Sequence, residues 1–204
     1  TISNESTENT PNDVVQTQET GGQSGRPEEN SGKTDNQDTG NDVLVAYFSA
    51  TGTTKGVAEK IAAITNADMY EIIPADPYTD EDLDYNDDTS RTSIEMNDPD
   101  ARPEIGSEAI SLEEYTVVYI GYPIWWGDAP MPIYTFLEGR DWAGKTIHPF
   151  CTHEGSGLGS TPNNIADATG AIVKTGLAVR GTDAQNNADK TAKAVSEWIA
   201  KAGL

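Results

Sequence analysis

From residue 43 onward the chain alternates short apolar runs with stretches whose apolar positions recur every three or four residues. That alternation predicts strands traded with helices, and hence a parallel sheet wrapped on both faces. The first run, residues 43–48, leads into a helix over 54–66 with Val57, Ala58, Ile61, Ala62 and Thr65 on one stripe. A second strand is expected at 69–73. The polar stretch 74–108 that follows predicts no more than a short helix near residues 81–87. Val117, Val118, Tyr119 and Ile120 form an unbroken apolar run, and a strand covered on both faces loses its polar alternation, so this is the central one. Gly121, Pro123, Gly127 and Pro130 then mark a loop before a helix at 132–137. Further strands are expected at 146–151 and about 172–179. The last helix, 184–202, has Ala188, Ala192, Val195, Ile199 and Ala202 on its stripe and closes at Gly203. Five strands alternating with helices predict an open, doubly wound α/β sheet. Ligands of such sheets sit outside the carboxyl ends of the strands, which directs attention to the loops after the first, third and fourth strands.

The first of these loops is Ser49-Ala50-Thr51-Gly52-Thr53-Thr54. It lacks the Gly-Lys-Ser/Thr ending of a nucleoside triphosphate loop and the spaced glycines of a dinucleotide fingerprint. What it offers is a helix N-terminus with free amides, a glycine and four hydroxyls, a nest for one phosphate monoester held without Arg or Lys. Helix capping is the other use of such residues, but one cap needs one hydroxyl.

The second loop places Trp125 and Trp126 among Gly121, Pro123 and Gly127. Two indoles in a turn either cover the edge of the core or wall a flat aromatic ligand. The third, Thr152-His153-Glu154-Gly155-Ser156-Gly157-Leu158-Gly159-Ser160, has alternating glycines that let backbone amides approach the edge of a planar ring. Cys151, the sole cysteine, ends an apolar strand and reads as a buried thiol. One cysteine permits neither an internal disulfide nor a cysteine-rich metal site.

Residues 1–42 differ from everything after them. Ile2, Val14 and Val15 are their only sizeable apolar side chains, too few to offset chain entropy, so the segment is expected to be a disordered arm. It carries nine acids and two bases, leaving 25 acids and 11 bases to residues 43–204, for a total of −21. Such a surface argues against nucleic acid and anionic membranes as partners and favours basic protein surfaces. No apolar run is long enough to span a bilayer. The chain opens on Thr1, read as a processed or shortened start. The arm is expected to tether an exported domain to a surface anchor, with an inert tail on a cytoplasmic protein as the alternative.

At these three loops the sequence resembles the flavodoxins. Ser49-Ala50-Thr51-Gly52-Thr53-Thr54 fits their Ser/Thr-x-Thr-Gly-x-Thr phosphate loop, and YPIWWGDAPMPIYTFLE and PFCTHEGSGLGS look like the flavin loops of a bacterial flavodoxin-like subfamily. DLDYNDDTSRTSIEMNDPDARPEI resembles that subfamily's acidic insert. The resemblance implies a five-stranded sheet in the order 2-1-3-4-5, noncovalent FMN, and electron transfer between redox proteins. It gives the phosphate to Ser49, Thr51, Gly52, Thr53 and Thr54. The second loop, Pro123, Ile124, Trp125, Trp126 and Gly127, would wall the isoalloxazine through one of its indoles. Contacts to the ring edge fall to Thr152, His153, Glu154, Gly155, Ser156 and Gly157. Gly127 is where a peptide would turn toward the reduced ring. The third loop lacks the outer-face tyrosine of well-known flavodoxins, which leaves that face open to a small substrate. An FMN-dependent NAD(P)H:quinone-type oxidoreductase and a flavin-free tethered interaction module are the competing readings.

Overall fold

The computed structural model describes residues 42–203; the arm expected at residues 1–42 lies, except for Asp42, outside the described residues. Strands β1 (Val43–Tyr47), β2 (Asp68–Glu71), β3 (Val117–Pro123), β4 (Thr146–His153), β5 (Ile172–Val173) and β6 (Leu177–Arg180) form one sheet. Every pairing among them is parallel, in the order β2-β1-β3-β4-β5 with β6 also beside β4. This is the expected strand order. Helices α1 (Thr53–Thr65), α2 (Arg91–Asn97), α3 (Met131–Leu137), α4 (Thr161–Thr169), α5 (Gly181–Asn186) and α6 (Ala188–Ala202) complete the chain.

Alternate side chains of β1, β3 and β4 feed two cores, as the period of two requires. Leu44, Ala46, Val118, Ile120, Ile147 and Cys151 point to one, closed by Ile133, Phe136 and Leu137 of α3, Ile165 of α4 and Trp142. Val45, Tyr47, Tyr119 and Phe150 point to the other, closed by Val57, Ala58 and Ile61 of α1 and by Val195, Trp198 and Ile199 of α6. Burial on both faces is why these strands read as unbroken apolar runs.

Four elements differ from the sequence expectation. The strand expected at about 172–179 is broken into β5 and β6. Opposite the break β4 carries Pro149, which has no amide to donate, and the Thr175 carbonyl turns aside to accept from Trp198 Nε1 at 2.9 Å. The helix expected at 184–202 is two helices, because Asn187 leaves helical geometry and its side chain accepts from the Lys190 amide at 3.1 Å, capping α6. The helix of the insert is α2, beginning after Ser90, whose hydroxyl accepts from Ser93 N; residues 81–87 are instead turns. There the acids bond the nearby main chain, with Asn86 N donating to Asp84 and Thr89 N to Asp87, which competes with helix formation. Finally, α4 was not expected, since it buries only Thr161 and Ile165 and shows no apolar stripe.

The second core holds a titratable group. His148 on β4 is 3% exposed and packs against Tyr119 and Trp198, and its Nδ1 has no hydrogen-bond partner. Burial, reinforced by Lys174, holds its pKa below the ordinary imidazole value. An unfolded chain takes up that proton near pH 6.5, so below this pH the unfolded state binds a proton the folded state refuses. Stability therefore falls as pH drops through that point, by at most about 1.4 kcal/mol per pH unit, until the folded-state pKa is reached. Urea unfolding at about pH 7.5 and about pH 5.5 should show a smaller loss in His148→Phe than in the unaltered chain; equal losses would exclude His148 as the source.

Candidate functional site

The three buried strands end at the same edge of the sheet, β3 and β4 running past the last pairing of β1, and hydrogen bonding continues from the ladder into the loops beyond. Phe48 N donates to Gly121 O at 2.9 Å, and Ile124 N to Thr152 O at 2.9 Å. The loop ends are thereby held in register with the sheet.

In the first loop Gly52 takes φ +82, a left-handed conformation that glycine adopts without a Cβ penalty. No side chain caps α1 at this point. Ser49 Oγ accepts from Lys55 N at 3.2 Å, so one of the four hydroxyls serves the helix. Thr54 Oγ1 lies 2.8 Å from Thr152 Oγ1, a buried bond that ties the first loop to the third. Thr51 and Thr53 face outward with their hydroxyls 3.1 Å apart, and Gln185 Nε2 donates to Thr53 Oγ1 at 2.8 Å. Lys55, the nearest cation in sequence, is turned away and paired with Glu71 at 3.1 Å.

The second loop is a tight reverse turn. Trp125 and Asp128 exchange main-chain hydrogen bonds of 2.9 and 3.0 Å, and the two residues between them both have positive φ, +47 at Trp126 and +85 at Gly127. That is the requirement of a type I′ turn, met easily by glycine and at a cost by tryptophan. The turn is secured by Asp128. Its Oδ1 accepts from Ala129 N at 2.8 Å and from the Thr161 hydroxyl of α4, and its Oδ2 accepts from the Tyr134 hydroxyl at 2.9 Å and from Asn164 Nδ2 at 2.7 Å. The indole of Trp125 meets Phe48 edge-on at 5.4 Å and Tyr78 of the insert at 5.3 Å. Trp126 is 47% exposed.

In the third loop His153 has a structural task. Its Nδ1 accepts from both Gly155 N and Gly157 N at 3.0 Å, folding the glycines around the ring. Gly159 lies so close to the second loop that a Cβ there would stand 2.5 Å from the Gly127 carbonyl. Cys151 is fully buried, and burial pushes its thiol up to about 12.

Two adjoining cavities open between the loops. The larger, of ≈ 670 Å³, is lined by Ser49, Thr51, Thr53, Thr54, Pro123, Ile124, Trp125, Trp126, Thr152 and Glu154 among the residues expected from sequence. The smaller, of ≈ 580 Å³, shares much of this wall and adds Gly127, His153, Gly155 and Ser156. Gly52 and Gly157 shape the loops without lining either cavity. Among the described residues neither wall contains a lysine or an arginine, and Glu154 is their only acid.

The structure adds residues that the sequence reading missed: Leu83, Tyr85 and Thr92 of the insert in the larger cavity, Gly181 and Gln185 in the smaller, and Asp128 behind the turn. A lone aromatic in an acidic run is a signal that could have found Tyr85. Nothing local to the sequence marks Gln185.

A family model described as flavodoxin matches residues 42–202. The chain belongs to the flavodoxin family. Among solved structures, a candidate flavoprotein of Bacteroides uniformis is 41% identical, covering 79% of this chain and 99% of its own, with a TM-score of 0.71. A second, from Bacteroides eggerthii, is 42% identical over 80% of this chain and 98% of its own, with a TM-score of 0.69. A flavoprotein of Lactobacillus acidophilus, solved in complex with FMN, is 26% identical over 71% of this chain and 95% of its own, with a TM-score of 0.55. A comparison with curated proteins found no match.

In this flavodoxin the turn depends on an uncompensated carboxylate with four donors. Asp128→Asn keeps the shape but sets an NH2 group against N–H or O–H donors. We expect a loss of about 2–3 kcal/mol, read as a lower urea midpoint at unchanged slope.

Proposed function

We propose that this chain binds FMN noncovalently and carries electrons between redox proteins. The observation that supports this reading most directly is the larger cavity itself. It joins an uncharged, hydroxyl-lined end at the start of α1 to an aromatic end at Trp125 and Trp126, matching a phosphoryl group at one end and a flat ring at the other. The FMN complex of the Lactobacillus acidophilus relative supports the same assignment.

In this reading Ser49, Thr51, Gly52, Thr53 and Thr54 receive the phosphate through hydroxyls and the first amides of α1, aided by the positive end of that helix. Trp125, held edge-on by Phe48 and Tyr78, is the packed wall, and Trp126 is the more exposed one beside it. Pro123, Ile124 and the Gly127 turn support the ring from the second loop, and residues 152–157 border it from the third. Bound FMN supplies one- and two-electron redox chemistry. The chain's part is to seat the ring, exclude water from it, and oppose negative charge gained on reduction. Each acid at about 10 Å adds roughly 0.4 kcal/mol in water-like surroundings, so the excess of acids over bases in residues 43–204 favours a low potential for the fully reduced couple. The insert holds twelve acids and two bases between Asp76 and Glu108, a surface suited to steering basic protein partners at rates that fall with salt. Residues 1–42 would act as a tether.

The test is reconstitution of the full chain. Addition of FMN is expected to produce a bound visible band and quench indole fluorescence, with riboflavin binding more weakly. Ser49→Ala with Thr51→Ala should weaken FMN by roughly 10- to 100-fold, from lost hydrogen bonds to a charged group, and leave riboflavin unchanged. A colourless protein in excess FMN refutes the reading. Loaded protein should need a protein partner for rapid turnover; steady NADPH oxidation with a quinone and no partner would mark an oxidoreductase instead.

A further inference from the structure

The insert contributes two tyrosines in contrasting settings. Tyr78 is packed, with its ring edge-on to Phe48 and Trp125, the Arg91 guanidinium 4.2 Å from its centroid, and its hydroxyl donating to Glu95. Tyr85 is 73% exposed and enters no hydrogen bond or ring pair among the described residues. Yet Tyr85, with Leu83 and Thr92, lines the larger cavity. A large aromatic side chain left in water on a run of acids gains nothing from the packing of its own segment.

The segment bearing it is firmly built. Thr79 and Asp82 close one turn, with Thr79 N and Oγ1 donating to Asp82 Oδ2 at 2.9 and 3.1 Å. Asp84 closes the next by accepting from Asn86 N at 2.9 Å. Thr92, on α2, donates from its amide to Asp82 O at 3.2 Å and from its hydroxyl to the same oxygen. Arg91 bridges Glu95 and Asp76. Tyr85 therefore stands between side-chain-locked turns at the rim of a cavity whose other aromatic wall comes from the β3 loop. An exposed ring on a preorganised support is the arrangement that gives contact area at low entropic cost.

We propose that Tyr85, which lines the cavity together with Leu83, is a second aromatic wall of the cofactor cavity, covering the flavin ring from the insert while Trp125 and Trp126 wall it from the second loop. This rests on the FMN reading above. It gives the insert a binding role besides its charge: it seats the ring and takes the space in which a planar substrate could stack from that side.

The experiment is an FMN and riboflavin titration of the full chain, followed by flavin emission. Tyr85→Ala should raise the Kd for both ligands by a similar factor, about tenfold, and leave bound flavin with higher emission. Tyr85→Phe should match the unaltered chain in both respects. The unliganded variants should unfold at the same urea concentration as the parent, since the side chain is exposed. Quenching and affinity unchanged in Tyr85→Ala overturn this inference alone. An unaltered chain that leaves FMN emission untouched overturns the cofactor reading, and this one with it. A loss confined to FMN and absent for riboflavin would place Tyr85 at the phosphate end and likewise refute the wall.

Discussion

Strands buried on both faces must end somewhere, and their last amides and carbonyls cannot be left unpaired in an apolar interior. That constraint organises the molecule. β1, β3 and β4 end at the same edge of the sheet, and the chain beyond them is held by continued main-chain bonds at Phe48 and Ile124, by the hydroxyl pair of Thr54 and Thr152, and by the carboxylate of Asp128. The main-chain bonds satisfy groups the sheet leaves behind, the side-chain bonds tie the loops to one another and to α4, and together they fix three loops around one opening. The site is thus the solution to ending a parallel sheet, with side chains chosen so that the opening has a polar end and an aromatic end.

The aromatic cluster extends this logic to the insert. Phe48 follows β1, Trp125 follows β3, and Tyr78 belongs to the insert, yet their rings meet edge-on within 5.3 to 5.8 Å of one another. Arg91 covers the outer side of Tyr78 and bridges Glu95 and Asp76. A segment with few apolar residues of its own is in this way docked through the Tyr78 ring, which Arg91 braces from within the insert, and also through Arg102, which pairs with Glu138. The strain visible at Trp126, with its positive φ, falls in the turn beside this cluster that Asp128 secures.

What could be read from the sequence follows physical lines. The central strands were legible because burial on both faces writes an unbroken apolar run, and the first loop because four hydroxyls exceed what a helix cap needs. The break between β5 and β6 was not, since its cause is Pro149 in the neighbouring strand and a carbonyl drawn off by Trp198. The division of the last helix rests on Asn187, whose preference for capping over helix interior was outweighed by the apolar stripe on either side. α4 escaped notice because it buries so little. In the site, the residues supplied by the loops after the strands were legible from their composition. Leu83, Tyr85, Thr92 and Gln185 were not, because their presence at the opening depends on how the insert and α5 fold back, which local periodicity does not encode.

The only sulfhydryl in the chain lies near the end of β4, closed off from solvent and with its ionisation pushed far up by burial. Thiolate is the form that oxidants and disulfides attack. A thiol so placed is withheld, while the fold holds, from exchange with glutathione and from pairing with a second copy. Reducing and oxidising surroundings, or a redox-active group above it, then meet the same unreactive sulfur.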